Sequence, residues 1–537
     1  MCGPRKSKSR AVHAAYLASL AMTTLFGAPA RAYIGDSFLS IPGSPGAEKS
    51  VAHKGWIRAE ADDWSDGRTL VPGMGGFGFG GSPDKPPGPQ GRSGALTVML
   101  TEGNPSFSTM KSLCASKASF PQITYADSTF RPGPGSAPVS WWVYKLTNVK
   151  LVDCISAPGA IGEAFTLSFE NIEWLNYDPN KPLPSKSDGD PGIKPIEAHG
   201  TKRTKVYLIT WLGIATEVTP DQCPNTNAKP TDDDFYRYRT PDEIASIKAK
   251  NGEKGITYSA ESEMRGPQGM DVDKFPAIVP DPRLYEPQSD LAYGIDLIGH
   301  KSGEKHKKPY KAPDGRAGID NQLFTTLGCI AGFRGKHGYR NQTDNARRAD
   351  GNIVTLVEIS GIDNELNDSH VEVALIHSRD KPIRDNTGSS FVANYTFRPS
   401  EDPAIDRFNI RVPGRIVNGV VMTDTIDMYS INSGQGPAYN LYKAQMRFEF
   451  LPNGSVKGYI AGYQDWRFLA TNRSSGYAEG LFGYSFPALW YALKRNADGL
   501  KDPATGEYNG ISTVYEIDTV PAFFAAPSAS QDIKVAK

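Results

Sequence analysis

Two loops rich in aspartate and asparagine carry the oxygen ligands that calcium prefers. They are APDGRAGIDNQ at 312–322 and GIDNELNDSH at 361–370. Calcium binds about six to eight hard oxygen ligands, but the same residue types also favour turns and helix caps. The spacing of an EF-hand is absent. The sequence therefore leaves a calcium site open, and its candidate ligands are Asp314, Asp320, Asn321, Asp363 and Asp368.

No sequence motif supplies a catalytic or cofactor-binding residue. The chain lacks the G-x-S-x-G, H-E-x-x-H and G-K-[ST] patterns of hydrolases, zinc proteases and nucleotide-binding loops. A GFGFGG segment at 76–81 does not lie between a predicted strand and a helix, so we interpret it as a loop. His370 and His377 lie an odd number of residues apart on one predicted strand. They are therefore expected on opposite faces, where they cannot share a metal.

Two aromatic-rich segments allow a binding site of another kind. YQDWRF at 463–468 and FGYSFPALWYAL at 482–493 contain clusters of Tyr, Trp and Phe. Exposed rings can stack on sugars, whereas buried rings pack a core. Polysaccharide binding or processing through the C-terminal part of the chain therefore stays open as an alternative function.

The composition favours a globular, β-rich protein with several domains. The chain has 537 residues, with 59 basic and 59 acidic side chains, so its charge does not indicate a nucleic-acid partner. Glycine and proline are abundant, at 54 and 41 residues, and show no collagen period. This is typical of many turns between short strands. The composition excludes collagen, a coiled coil and a protein with several membrane spans.

The N-terminus has the pattern of a secretory signal peptide. Basic residues precede an apolar run at 11–26, and Ala30-Arg31-Ala32 is a small-x-small cleavage pattern. A membrane anchor is the alternative, but the run is shorter than the roughly 20 residues that span a bilayer. We therefore expect a mature chain that begins at Tyr33, is secreted or periplasmic, and has no transmembrane segment after processing.

A loss of hydrophobic periodicity at 178–203 predicts a linker rich in Pro, Gly and Asp. The predicted organisation is a signal peptide at 1–32, a strand-rich domain at 33–177, the linker, and a C-terminal β-rich domain of unknown function at 204–537.

Local patterns give the elements of the two domains. In the first domain, a helix is predicted at 107–117 and long strands at 141–156 and 163–175. In the second, most of 219–350 is predicted to be loop, with a capped helix after Thr240 and a short helix at 320–327. Strands follow, among them a hairpin at 353–360 and 370–377 and one long strand at 415–431, with a helix at 487–497 and a last strand at 512–520.

Several segments of the first domain are distinctive: DSFLSIPGSPG at 36–46, HKGWI at 53–57, the helix and strand at 107–125, and the strands at 143–151 and 163–175. In this order they resemble the haemolysin-coregulated protein (Hcp) family of type VI secretion. This resemblance implies a closed β-barrel with one helix that associates into hexameric rings stacked as a tube. The second domain resembles only exported bacterial proteins without a known activity, through GIDNQL and STVYEIDTVPAF.

Four cysteines remain after processing, and an exported chain meets an oxidising compartment. Three pairings are formally open. The division into two domains favours disulfide bonds between Cys114 and Cys154 and between Cys223 and Cys329. The alternative is that all four cysteines are buried free thiols.

Together these features predict a mainly β protein. It has an Hcp-like closed β-barrel with one helix, followed by a β-sandwich-like domain with a few short helices. The leading functional hypothesis is an exported, non-catalytic structural or interaction protein. It would form a homo-oligomer through the barrel and have no cofactor other than calcium.

Overall fold

A computed structural model gives the fold of the chain. It describes residues 36–49, 53–64, 94–128, 142–174, 203–224, 235–251, 264–299, 307–352, 354–388, 390–400, 409–430, 439–471, 484–502 and 506–525. The predicted signal peptide and nearly all of the predicted linker lie outside these residues. No helix in these ranges is long and apolar enough to cross a membrane.

The described part of the first domain contains eight strands and one helix. Its elements are β1 (Asp36–Ser40), β2 (Ile57–Ala59), β3 (Ala61–Trp64), β4 (Gly94–Thr101), α1 (Phe107–Ala115), β5 (Ser119–Ser128), β6 (Trp142–Ile155), β7 (Gly162–Phe169) and β8 (Asn171–Trp174).

These strands form one antiparallel sheet that closes into a barrel. The order of pairing is β2-β1-β5-β6-β7-β4-β3, and β8 pairs with β6. Only Glu60 separates β2 from β3, so a single bent strand joins the two ends of the sheet. The predicted closed barrel with one helix is confirmed. Among the described strands, β8 pairs only with β6, so its other side is an unpaired edge.

Strict alternation in β7 shows how the sequence specifies this barrel. Phe165 and Leu167 are fully buried in the barrel core, together with residues from β1, β4, β5 and β6. Thr166 and Ser168 point to the outer face and are half-buried. Because successive side chains of a strand lie on opposite faces, the pattern fixes which face is core.

In its described residues, the second domain contains the remaining strands and five α-helices. Its elements are β9 (Arg203–Ile214), α2 (Pro241–Asn251), β10 (Tyr310–Lys311), β11 (Ala317–Ile319), α3 (Gln322–Leu327), α4 (Tyr339–Ala349), β12 (Val354–Ile362), β13 (Asn367–Ser378), β14 (Tyr395–Phe397), β15 (Ile410–Val417), β16 (Val420–Thr423), β17 (Ile426–Ser430), β18 (Tyr439–Phe450), β19 (Val456–Asp465), α5 (Trp466–Thr471), α6 (Phe486–Asn496), β20 (Gly499–Lys501) and β21 (Tyr508–Phe524).

The main sheet of this domain also closes on itself. Its order runs β21-β19-β18-β16-β15-β13-β12-β9, and β21 pairs again with β9. Val357, Val373 and Phe448 are among the side chains that fill its interior. The domain is mainly β, as expected. The predicted sandwich-like domain is built from one continuous sheet whose two ends pair with each other. We therefore call this domain the second barrel.

Three local predictions were wrong. The single strand predicted at 163–175 is divided at Glu170 into β7 and β8. Residues 415–431 do not form one strand, because Asn418 and Gly419 adopt positive φ angles of 51° and 76° and make a turn between β15 and β16. The region 219–350 contains the unpredicted helix α4. The face that α4 buries is polar, and it consists of Asn341, Asn345 and Arg348. An apolar periodicity, the usual signal of a helix, is therefore missing.

The capped helix after Thr240 is confirmed. The Thr240 backbone N–H donates to the Glu243 carboxylate at 2.8 Å, and the Glu243 N–H donates to Thr240 Oγ1 at 3.3 Å. These reciprocal bonds form the predicted capping box, and they satisfy backbone donors that the first helical turn leaves unpaired.

Candidate functional site: the junction between the barrels

The outer face of the first barrel carries an apolar row across three strands. Ala61 of β3 lies opposite Met99 of β4, which lies opposite Ala164 of β7. These side chains alternate with core residues and so point away from the barrel interior. All three nevertheless have 0% exposure. Another part of the chain must therefore cover them.

Residues of the second domain cover this row. Ala61, Met99 and Ala164 belong to the same apolar cluster as Ala277 and Trp490. The fit is close at Gly162, where an added Cβ would lie 2.6 Å from the Cβ of Ala277. Small side chains on β3 and β7 permit this close approach.

Hydrogen bonds between the domains fix the position of the covering segment. The Ala157 N–H of the first domain donates to the Ile278 carbonyl at 2.7 Å. On the other side of the segment, the Tyr491 hydroxyl of α6 donates to the Val279 carbonyl at 2.8 Å. The segment that follows Phe275, including Ile278 and Val279, is thus held between the first barrel and α6. We call the region where this segment and α6 meet the first barrel the junction.

Ion pairs surround the apolar part of the junction. Arg58 pairs with Asp502 at 2.8 Å, and Lys274 pairs with Asp63 at 3.0 Å. Lys494 of α6 lies 3.4 Å from Glu60, the residue at which the bent strand of the first barrel turns. Each pair joins one domain to the other.

The charged form of Glu60 is stabilised from both domains. Burial favours the neutral acid and by itself raises the pKa of Glu60. Lys494, a hydrogen bond from the Thr101 hydroxyl, Arg467 and Arg58 together outweigh burial, and the pKa falls below its ordinary 4.5. The carboxylate therefore supports folding at neutral pH, and this support is lost as the pH falls through the lowered pKa.

The junction can hold the two barrels in one fixed arrangement. A buried ion pair adds little net stability over an apolar pair, but removal of one partner is costly. The apolar row supplies the adhesion, and the ion pairs select one orientation of the barrels.

The carboxylates of the first calcium-candidate loop bind groups within the protein. Asp314 accepts a hydrogen bond from Arg316 Nε at 2.8 Å, and Asp320 accepts one from the Leu297 backbone N–H at 2.9 Å. Asn321 caps α3, because its Oδ1 accepts the Phe324 N–H at 3.1 Å.

The second calcium-candidate loop is a turn held by its own side chain. The Asp368 carboxylate accepts the backbone N–H groups of Asp363 at 2.7 Å and His370 at 3.0 Å. Within the described ranges, no three side chains of His, Cys, Asp or Glu are grouped so as to hold a metal. The calcium site stays a prediction that these contacts do not support.

No family model matches this chain, and no curated protein matches it. Solved structures with local similarity include Hcp2 from Salmonella typhimurium, with 15% identity over 27% of this chain and 88% of that chain, at a TM-score of 0.18. The Hcp1 protein from E. coli EAEC 042 is similar over 27% of this chain and 91% of its own, with 16% identity and a TM-score of 0.18.

A type VI secretion system effector from Yersinia pestis is similar over 27% of this chain and 99% of its own, with 15% identity and a TM-score of 0.17. Similarities at this level leave function open. The fold assignment above rests on the strand pairings of the chain itself.

The aromatic segments form core instead of a sugar-binding platform. Tyr463, Trp466, Tyr484 and Trp490 are all buried. The rings of Trp466 and Trp490 meet edge to face with centroids 5.5 Å apart. The platform interpretation is therefore wrong for these rings.

The histidines differ in their surroundings. His370 is exposed and His377 is buried, which agrees with the predicted opposite faces. His53 lies in a turn and is buried. Its ring stacks on Phe38 at a centroid distance of 4.1 Å.

The cysteines form the two disulfide pairs that were predicted from the division into domains. Cys114 of α1 joins Cys154 of β6, with their Cα atoms 6.4 Å apart. Cys223 joins Cys329 just after α3, with their Cα atoms 5.5 Å apart. Each bridge lies within one domain, so the junction depends on non-covalent contacts.

Sequence reasoning missed a half-buried acid beside a calcium candidate. The pKa of Asp498 is raised from 3.8 to about 7, chiefly by burial and also by nearby Asp320, while a hydrogen bond from Ser512 and the nearby Lys307 act to lower it. Its Oδ2 is buried and has no hydrogen-bond partner among the described residues. Asp498 lies just after the polar C-terminal end of α6. The composition of this stretch gives no sign that an acid there is shielded from water.

We expect Asp498→Asn to change the pH dependence of stability. The folded-state pKa lies above the unfolded value, so the native protein loses stability as the pH rises from about 4 to above 7. Asparagine removes this loss, which is at most about 4 kcal/mol. Urea unfolding should show equal stability at pH 4 and a more stable variant at pH 8. Asp424→Asn, at an exposed position, serves as the control. Parallel pH profiles for wild type and Asp498→Asn would contradict the assignment.

Proposed function

We propose that this protein is an exported, non-catalytic assembly protein. Its first barrel contacts the second barrel through one outer face and other copies of the chain through another. The observation that carries the proposal is the division of the outer surface of the first barrel into a covered apolar side and an uncovered polar side.

The uncovered side is formed by β5, β6 and β8. Outward-pointing rows cross these strands, because Thr124 lies opposite Lys145, which lies opposite Glu173. Lys145 Nζ and Glu173 are 2.7 Å apart and both are partly exposed. We expect this polar surface to associate mainly through its side chains, because among its described strands only the short β8 keeps an unpaired edge. Such contacts are modest in apolar area and depend on concentration.

Export and a relation to type VI secretion are the finer parts of the proposal. The signal-peptide pattern at 1–32 and the two cysteine pairs support export to an oxidising compartment. The sequence resemblance of residues 36–177 to the Hcp family supports ring formation. Genes for sheath and baseplate proteins beside this one would favour a secretion role.

Light scattering of the mature chain, residues 33–537, tests the assembly. We expect monomers when the protein is dilute and ring-sized species when it is concentrated. Lys145→Glu places two acids together on the uncovered side and should shift association to several-fold higher concentration. Lys457→Glu makes the same charge change on the second barrel, at an exposed position, and should leave association unchanged.

Equal shifts for Lys145→Glu and Lys457→Glu would show that net charge, and not this face, controls association. A monomer at all concentrations would contradict the proposed function.

A further inference from the structure

The strand that closes the first barrel is paired only briefly with its neighbours. β2 and β3 join at Glu60, and we call residues 57–64 the closing strand. It pairs with β1 over three residues and with β4 over four, whereas β5 and β6 pair with each other over eight. A short pairing can open locally while the rest of a sheet stays folded, because few hydrogen bonds have to break. The closing strand is therefore a place where this barrel can open.

The inner face of the closing strand carries an acid that opposes closure. Asp62 points into the barrel with 4% exposure, and its Oδ1 accepts a hydrogen bond from Ser37 Oγ at 2.9 Å. Burial raises the pKa of Asp62, and hydrogen bonds from Tyr125 and Ser37 only partly oppose this effect. A raised pKa means that the ionised acid is less stable in the closed barrel than in water. At neutral pH, the barrel interior therefore does not hold this strand firmly.

The second domain holds the outer face of the closing strand at four positions. Ala61 is buried in the apolar part of the junction. The other three positions form ion pairs with the second domain, namely Arg58 with Asp502, Glu60 with Lys494 and Asp63 with Lys274. Lys274 Nζ lies 3.0 Å from both carboxylate oxygens of Asp63. The three partners belong to α6, to the residues just before Phe275 and to the residue after β20, so three separate segments hold one strand.

From this arrangement we propose that the second domain is a clamp that keeps the first barrel closed. While the junction is formed, the closing strand stays between β1 and β4. When the junction loosens, the strand can leave, and the edges of β1 and β4 that face it become unpaired. An unpaired strand edge can accept an extended segment of another chain. The clamp thus controls access to two strand edges, and this role does not require association through the uncovered side.

Hydrogen exchange of the dilute mature chain, residues 33–537, measures the opening of the closing strand. Lys274→Met combined with Lys494→Met removes two of the three ion pairs. Amides of residues 57–64 should then exchange at least tenfold faster than in the wild type. Amides of β5 and β6 should keep their wild-type rates, because opening of the closing strand leaves their pairing intact. Lys205→Met is the control, since it removes an ion pair with Glu365 inside the second barrel and should change neither region.

Equal acceleration of the closing strand and of β5 and β6 would show that the barrel opens as one unit, and would overturn the proposal. Unchanged exchange of residues 57–64 in the double variant would also overturn it.

Asp62→Asn gives a second readout in a chain whose junction is intact. The variant removes the inner charge that opposes closure, while the asparagine Oδ1 can still accept the hydrogen bond from Ser37. Compared with the wild type at pH 8, residues 57–64 should exchange several-fold more slowly, and β5 and β6 should not change. Wild-type exchange of the closing strand in Asp62→Asn would overturn the proposal, because the strand would then not need a clamp.

Discussion

Replacing Ala164 with glutamate should separate the two barrels. Ala164 lies in the apolar row of the junction with 0% exposure, so the new carboxylate would be buried against the second domain. Burial of an unpaired charge should lower the free energy of unfolding by about 3 kcal/mol or more. Urea unfolding should change from one transition to two, because barrels that no longer stabilise each other unfold independently.

Ser168→Glu is the matched control. Ser168 lies on the same strand and the same outer face, but it is half-buried and outside the apolar cluster. The control should change stability by roughly 0.5 kcal/mol or less and keep a single transition. If Ala164→Glu behaved like Ser168→Glu, the described junction would be wrong.

Removal of the Cys223–Cys329 bridge should have the largest effect of any change within the second domain. The bridge closes a loop of 106 residues. Chain entropy predicts a loss of about 5 kcal/mol for Cys223→Ala with Cys329→Ala, and both positions are buried, so alanine fits. Denaturant unfolding without a reducing agent measures the effect.

The Cys114–Cys154 bridge provides the comparison. Its loop spans 40 residues, so the same argument gives about 4 kcal/mol, confined to the first barrel. Non-reducing peptide mapping should recover both pairs from the wild type. Recovery of free thiols at Cys223 and Cys329, or an unchanged stability of the double variant, would contradict the pairing.

The strands of the first barrel could be predicted because their information is local, whereas their closure into a barrel was expected only from the resemblance to the Hcp family. In β7, Phe165 and Leu167 alternate with Thr166 and Ser168, and this period alone identifies the core face. The junction depends on residues far apart in sequence. Glu60 and Lys494 are separated by 434 positions, and neither has a local pattern that announces its partner.

One signal of the junction was present in the sequence. The strand ALTVMLT is apolar on both faces in its second half, with Val98 and Leu100 in the core and Met99 outward. A strand of this kind is buried on both sides, which predicts a covering element. The polar face of α4 offered no such signal, because Asn341 and Asn345 have the composition of a loop.

Cross-linking of mixed copies tests the central claim most directly, namely that one face of the first barrel binds within the chain and another binds between chains. Isotopically light and heavy mature chains are mixed at high concentration, treated with a lysine-reactive cross-linker and digested for mass spectrometry. Links between light and heavy peptides should include Lys145 of the uncovered side, whereas Lys274 and Lys494 of the junction should form links only within one chain. Mixed links confined to the second barrel, or none at millimolar concentration, would contradict the account.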